Sequence, residues 1–477
     1  MTLAGMTEPY RRRWTALALL LAAVFMDMVD NQIVVIALPT IQRDLGAPPS
    51  ALQWTATAYT LAFAVTLITG GRLGDRFGHR PVFVAGAAGF GVASLLAGCA
   101  PGTGVLLGSR VAQGVFAGLM VPQVLSFIRV EFPADEQGRA MGFYGMTFPI
   151  GGLAGPLLGG LLTQADLFGW GWRTVFLVNV PIALVVALAA ARIMPAPRRD
   201  ARAAVDLPGV ALLAAALLAV LYPLVQGREL GWPLWTVGLV VAGIALLGVF
   251  ALQQRRRSSA LIGTEVFRDR AFSGGIAAIL VVYCGMGAFF VLTLYLQDGL
   301  GYSPLKTAAT MLPATAGIVL GNGLGMPLAP KLGRRLTLAG VTALLVATAA
   351  MLVVVAHAGP GLTPWHLALP VLVYGAGLGI AASSLMLATL SGAGEADAGA
   401  ASGVVNTAVQ LGLAAGPATI GTAFFGRLPG HGFASATQTG LLVGLGLFLV
   451  ALPVCLLLPA GTRQPSAVAD ASAERHP

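Results

Sequence analysis

Three charged side chains stand where charge is costly. Asp27 and Asp30 interrupt the apolar stretch Phe25 to Pro39, and Arg110 interrupts another at about 104–128. A charged aspartate at a bilayer centre costs about 2.5–3.5 kcal/mol on insertion scales. Each acid is therefore expected to face a central, water-reachable cavity, and there to pair with a cation or exchange a proton. Spaced by three, the two acids lie near one face of a helix, and strong interaction would make them titrate as a pair. Asp27 could carry a proton, touch a cationic substrate or serve only as a packing acid. A buried guanidinium needs an acceptor. For Arg110 that is Asp30 or Asp27, or else the backbone carbonyls of a kinked helix, with Gln113 three residues on placed to join.

The elements that must hold these groups are membrane helices. Of 477 residues, 57% are hydrophobic and 10% charged, against about 25% charged in soluble domains, and the mean hydropathy is +0.83. A spanning helix needs about 20 mainly apolar residues. Fourteen such runs occur, near 14–37, 51–71, 81–100, 104–128, 141–164, 173–194, 207–226, 234–252, 271–296, 305–328, 337–357, 366–390, 400–425 and 437–459. The first is read as a retained helix, being too long for a signal peptide's apolar core. With a cytoplasmic N-terminus, 22 of the 28 Lys and Arg residues fall on inside segments, five fall outside, and Arg110 lies within a helix. That bias is the positive-inside pattern. It predicts both termini in the cytoplasm, and it accounts for the net charge of +9 without nucleic acid.

Polar segments at 195–206 and 253–270 divide the runs into six, two and six. The short basic stretch "GRLGDRFGHR" (71–80) has a weak echo in "APKLGRR" (329–335). Together they predict an all-α membrane protein of two related six-helix bundles, 14–194 and 271–459. A linker at 195–270 carries two additional transmembrane helices, and the tails are 1–13 and 460–477. Related halves place a substrate site at the midplane between them.

Several local patterns follow from residue type. Gly151, Gly155 and Gly159, four apart, with Gly160 and Pro156 beside them, make a flat face for close helix approach. Pro156 can kink its helix. The face would pack between the halves and seal leaks, or pack ordinarily, or both. In 71–80, Gly74 and Gly78 permit tight turns, and Asp75 is placed to cap a helix or to pair with Arg76, Arg80 or Arg139. Tyr59, Phe148 and Phe289, with Gln113, Asn322, Asn406 and Gln410 as polar anchors, could line an apolar cavity. Such side chains also face lipid or core. Cys99, Cys284 and Cys455 lie in apolar runs and are expected to pack without a disulfide. The sequence contains no phosphate-binding GxxxxGK[ST] loop, no HExxH or other metal-ligand spacing and no GxSxG elbow, so ATP coupling, a metal site and an enzyme are not expected.

These stretches carry a resemblance. "GRLGDRFGHR", "RVAQG" (110–114) and "GGLAGPLLGG" (151–160) resemble loop, fourth-helix and fifth-helix signatures of the major facilitator superfamily. "DNQIVVIALPTI" (30–41), "WRTVFLVNVPI" (172–182), "LYLQDGLGYSP" (294–304) and "SGVVNTAVQLG" (402–412) are similar to signatures of its fourteen-helix drug:proton antiporters. Asp27 is an addition to the pattern, Val35 replaces a small polar residue, and Asp298 stands where the family often has no charge. The resemblance implies a proton-driven exporter of lipophilic drugs or antibiotics in the cell inner (cytoplasmic) membrane, needing no cofactor and acting as a monomer. It implies Asp30 as proton carrier, with Arg110 helping to eject the proton. It also implies a cytoplasmic latch formed by Gly71, Gly74, Asp75, Arg76, Gly78, Arg80 and Arg139. The fifth-helix glycines would be an antiporter motif. A narrow metabolite transporter of the same fold is the alternative, and a membrane sensor a more distant one.

Overall fold

The computed structural model describes residues 10–195, 206–227, 229–256, 269–390 and 398–458. What the sequence predicts for the two tails beyond these limits, and for segments 196–205 and 257–268, lies outside the described residues.

The helices in chain order are α1 (Arg13–Leu45), α2 (Pro49–Phe77), α3 (His79–Gly98), α4 (Thr103–Glu131) and α5 (Ala134–Ala165). Next come α6 (Gly171–Ile193), then α7 (Leu207–Gln226) and α8 (Leu234–Arg256). The last set is α9 (Arg270–Gly299), α10 (Pro304–Leu332), α11 (Arg334–Ala358) and α12 (Pro364–Leu390). The final run, Ala398–Cys455, leaves helical geometry at Pro429, Gly430 and Gly432, which divides it into α13 (398–428) and α14 (433–455). Among the described residues, eleven helices are long and apolar enough to cross a membrane, or twelve if bent α2 is one span. The break in the final run and the shorter apolar helix Leu234–Phe250 account for the difference from the fourteen runs read in the sequence.

Most helices outrun their apolar stretches, because backbone hydrogen bonding continues once side chains turn polar. α1 has 33 residues, about 50 Å at 1.5 Å per residue, against a hydrocarbon core of about 30 Å. Its end is set by Gly46 at φ 58°, whose N–H returns to the Gln42 carbonyl. α5 begins after Pro133 with Asp135 and Glu136 in its first turn, where acids complement the helix dipole. It then runs unbroken through Pro149 and Pro156 to Ala165.

The stretch 71–80 is a joint rather than a loop. α2 stays helical to Phe77, and only Gly78, at φ 96°, departs before α3 starts at His79. The expected turn at Gly74 is thus corrected. Gly74 is helical, and its missing side chain admits the Gln123 amide and the His79 ring, whose Nδ1 would lie 2.7 Å from a Cβ. The echo at 329–335 takes the same form, with Gly333 at φ 51° alone between α10 and α11.

Three buried clusters organise the packing. One fills the first six helices around Tyr59, Phe83, Phe90 and Phe127. A second fills α7 to α14 around Phe272, Tyr295, Tyr374 and Phe448. A third joins the two sets through Ile33, Ala37, Leu52, Trp172, Phe290 and Phe424. It lies at the end opposite Arg13, Arg76, Arg80 and Arg139, with Arg43 and Arg173 beside it. Polar contacts cross there too: Gln297 donates to the Ile36 carbonyl at 2.9 Å, and Gln53 to the Pro417 carbonyl at 2.9 Å.

Arg13, Arg76, Arg80 and Arg139 gather at the other end. Arg13 makes two 2.8 Å bonds to Glu136, and Arg80 donates to the carbonyls of Ala191 and Met194 at the end of α6. Here α5 packs only along a narrow strip, through Ala140, Tyr144 and Thr147, and Met141, Phe143, Met146, Phe148 and Ile150 are each 39–55% exposed. On α10, Leu320, Leu324, Met326 and Leu328 are also exposed. α5 and α10 touch at Gly160–Leu305 and Gly152–Thr315, and beyond these contacts both are exposed. The two sets of helices therefore part toward the basic end.

Candidate functional site

Helical geometry places Asp27 and Asp30 about 60° apart around α1 at 3.6 residues per turn. Both are 0% exposed. They do not face a cavity between the halves, as expected from the sequence. They point into the first bundle, where five helices supply their surroundings. The physical reason is that this interior holds the donors that replace water.

Asp30 is satisfied on both oxygens. Arg110 of α4 donates to Oδ2 at 2.6 Å. Gln113 of α4 and Asn179 of α6 donate to Oδ1 at 3.0 Å and 2.7 Å. Gln113 also donates to Ser94 of α3 at 2.8 Å and accepts from Arg110 at 2.9 Å. Arg110, 0% exposed, takes both partners that the sequence left open. Besides Asp30, its Nε donates to the Thr55 carbonyl of α2 at 3.2 Å. Its guanidinium lies 4.3 Å from the Tyr59 ring centroid and 5.9 Å from that of Phe176. A buried charge is tolerated when paired and fully hydrogen-bonded, and this pair meets both conditions.

Asp27 is held differently. Its Oδ1 accepts a hydrogen bond from the Tyr59 hydroxyl, while Oδ2 is buried with no partner. Tyr59 therefore touches both halves of the network, with its hydroxyl on Asp27 and its ring on Arg110.

Asn179, Ser94 and the Thr55 carbonyl were not singled out in the sequence. Asn179 could have been, because an amide inside the apolar run of α6 carries the same cost that drew attention to Asp30. Ser94 and a backbone carbonyl give no such signal.

The other sequence-derived residues divide. Tyr59 and Gln113 belong to the acid network rather than to an apolar lining. Phe148 is 40% exposed and meets Tyr144 edge-on at 5.2 Å. Phe289 packs edge-on against Tyr374 at 4.9 Å. Gln410 is buried with Oε1 unpartnered, and Asn322 and Asn406 are half-buried. Among the described residues no hydrogen bond or ion pair joins these to the acids.

At the basic end, Asp75 faces His79 at 3.7 Å rather than an arginine. The arginines expected to pair with it are engaged elsewhere. Arg80 caps α6, Arg76 lies over Phe77, and Arg139 lies over Trp14 and Phe143. Gly71 and Gly78 line the same joint, and Gly71 is in ordinary contact with Pro122. Cys284 and Cys455 are buried, but Cys99 is exposed at the end of α3, where the helix stops and packing ends.

The glycine face of α5 packs mainly on α1, within the same bundle, and through Gly160 on α10 of the second, so both alternatives left open by the sequence occur. A Cβ on Gly151, Gly155 or Gly159 would come within 2.7, 2.5 and 2.9 Å of Met28, Gln32 and Ile33. Gly160 alone of these meets α10, within 2.7 Å of the Leu305 Cα. A period of four cannot say which neighbouring helix the stripe faces. Among the described residues no cluster of His, Cys, Asp or Glu could hold a metal ion.

The profile described as Major Facilitator Superfamily matches residues 20–417. The "Probable actinorhodin transporter" of Streptomyces coelicolor is 40% identical over 440 residues, 91% of this chain and 76% of that protein. The puromycin resistance protein pur8 of Streptomyces alboniger is 38% identical over 468 residues, 96% of this chain and 92% of that one. In fold, the chain is similar to a bacterial homologue of the human lysosomal transporter Spinster. The TM-score is 0.64 at 18% identity, covering 94% of this chain and 97% of the other.

Proposed function

The chain belongs to the Major Facilitator Superfamily, a family of transporters rather than enzymes, and on that premise we propose that it is a proton-coupled antiporter. It exports a lipophilic drug or antibiotic across the cytoplasmic membrane by alternating access between bundles 14–194 and 271–459. The pair at 195–270 is an added hairpin, both termini are cytoplasmic, and one chain suffices. The proton gradient is the only energy source, and no cofactor takes part.

The observation that carries this reading is the sealed Asp30–Arg110 pair. With the basic end cytoplasmic, the parting of the helices opens toward the inside. In this state Asp30 is the carboxylate held by Arg110, Gln113 and Asn179, its proton already released inward. Protonation from outside cancels the charge that retains Arg110, and the helices that carry the two residues are then free to repack. Each inward proton draws about 2.3 kcal/mol per 100 mV of membrane potential.

The test uses proteoliposomes with an imposed pH gradient and ethidium as a lipophilic cationic probe. Asp30→Asn should abolish uphill exchange while the protein still inserts. Continued uphill transport coupled to proton influx in that variant overturns the assignment.

A second reading concerns breadth. The two relatives described above each carry one antibiotic in their names, which supports a narrow exporter of a single natural product. Competition among structurally unrelated antibiotics for the same exchange separates the two. Mutual inhibition favours the broad exporter, and a lone effective compound the narrow one.

A further inference from the structure

We propose that Asp27 and Tyr59 form a second proton-binding site, distinct from the Asp30–Arg110 pair, and that Asp27 holds a proton in the conformation described here. The argument is a charge count inside a sealed volume. The titratable and charged groups facing Asp27 are Asp30 on its own helix, Tyr59 of α2 and Arg110 of α4, with Tyr144 of α5 within electrostatic range. Arg110 is the one cation among them, and its Nη1 is bound to Asp30 at 2.6 Å. The flat face of Tyr59 lies against the guanidinium, while its hydroxyl reaches Asp27 Oδ1.

Two carboxylates and one guanidinium would leave a net negative charge with no access to water. They would also leave Oδ2 of Asp27 as an ionised oxygen without a donor. Ionised groups are far more costly to strand than neutral ones. With Asp27 as the neutral acid, the cluster is electrically balanced, and the stranded atom is only a hydroxyl. Asp30 has the opposite environment, with three donors, one of them a cation, on two oxygens. The two acids, three residues apart, are thus held in different protonation states by their neighbours.

The site bears on transport as well. When Asp30 takes a proton from outside, Arg110 loses its counter-ion, and Asp27 is the other carboxyl within reach, through the Tyr59 hydroxyl. If Asp27 gives its proton up to the inside as the replacement charge and later reloads from the outside, each cycle carries a second proton inward, and exchange against a monovalent cation becomes electrogenic. This last step rests on the antiport reading; the site itself does not.

Infrared spectroscopy of the purified full-length protein in detergent at neutral pH tests the site directly. We expect a protonated-carboxyl C=O band that is lost in Asp27→Asn, retained in the double variant Asp30→Asn/Arg110→Gln, which removes the anion and its cation together, and shifted in Tyr59→Phe as its hydrogen bond disappears. A wild-type spectrum without the band, or a band unaltered in Asp27→Asn, overturns the proposal. If Asp27→Asn fails to fold, an unshifted band in Tyr59→Phe overturns it equally. Ethidium exchange measured in parallel separates the two claims. A band with these properties in a protein that shows no exchange sustains the site and sinks the antiport reading, whereas exchange without the band does the reverse.

Discussion

Asp30 and Arg110 should behave as one energetic unit, and a double-mutant cycle measures this. In Asp30→Asn the shape is kept, but one oxygen becomes an NH2 group. Three donors converge on the two oxygens, from Arg110 on one and from Gln113 and Asn179 on the other. An amide offers a single acceptor oxygen, so at least one donor must face a donor. Arg110 meanwhile keeps the Thr55 carbonyl, the Gln113 amide and the Tyr59 face but loses its counter-ion. Removing one member of a buried pair typically costs about 3–5 kcal/mol, and only replacement of both by well-packed apolar groups is often close to neutral; Asn and Gln fall short of that because they leave Gln113, Asn179 and the Thr55 carbonyl imperfectly paired. We expect about 3 kcal/mol each for Asp30→Asn and Arg110→Gln, about 3 kcal/mol for the double variant, and hence a coupling of about 3 kcal/mol. The assay is reversible unfolding in dodecylmaltoside micelles with increasing dodecyl sulfate, followed by tryptophan fluorescence. Additive single effects, with coupling below about 0.5 kcal/mol, would refute the reasoning. The two side chains would then be neighbours that do not depend on each other.

Two further expectations use the same titration. Asn179→Ala removes one of the two amide donors on Asp30 Oδ1, which should lower stability by about 1–3 kcal/mol; a loss within error would mean that Asn179 merely fills space. Gly155→Val places a side chain where even a Cβ would lie 2.5 Å from that of Gln32, and should cost about 1–3 kcal/mol or more by overpacking. Gly145→Ala, which meets nothing within 4 Å, should be neutral or gain about 0.5–1 kcal/mol of helix preference. Equal effects at the two glycines would contradict the close approach of α5 to α1.

How far the sequence could be read depended on the kind of cost each residue carries. Apolar length located the helices within a few residues, and 207–226 coincides with α7, because solvation by lipid acts on every residue of a span. Buried charge located Asp27, Asp30 and Arg110 for the same reason. Direction was harder. The acids turned into the bundle rather than toward the cavity, since what draws them is the set of donors on α2, α4 and α6, far away in sequence. The glycine stripe on α5 was legible as a contact face, but its partner, α1, was not. Gly74 shows a similar limit, because a glycine needed for the approach of Gln123 looks the same in sequence as one needed for a turn. Ser94 serves the network through one hydroxyl that any helix could carry.

The placement of α1 shows how a change at the buried Asp30–Arg110 pair would reach the contacts between the two sets of helices. At about 100° per residue, Asp27 and Asp30 lie on one side of α1, while Met28 and Gln32 lie on the other, against Gly151 and Gly155 of α5, with Ile33 at the edge between them against Gly159. One helical turn further on, the Ile36 carbonyl on that second side accepts from Gln297 of α9. α5 in turn meets α10 through Gly160, and through the Gly152 carbonyl, which accepts from Thr315 at 3.3 Å. One rigid helix thus has its charge-bearing side in the first bundle and its opposite side on the two elements that touch the second. Glycine contacts leave little slack, because a gap of even 0.5–1 Å forfeits a quarter to a half of the dispersion attraction. A shift of α1 as small as the loss of the 2.6 Å Asp30–Arg110 contact is therefore not absorbed by loose side chains. It must be taken up at α5 and α9, where the bundles join.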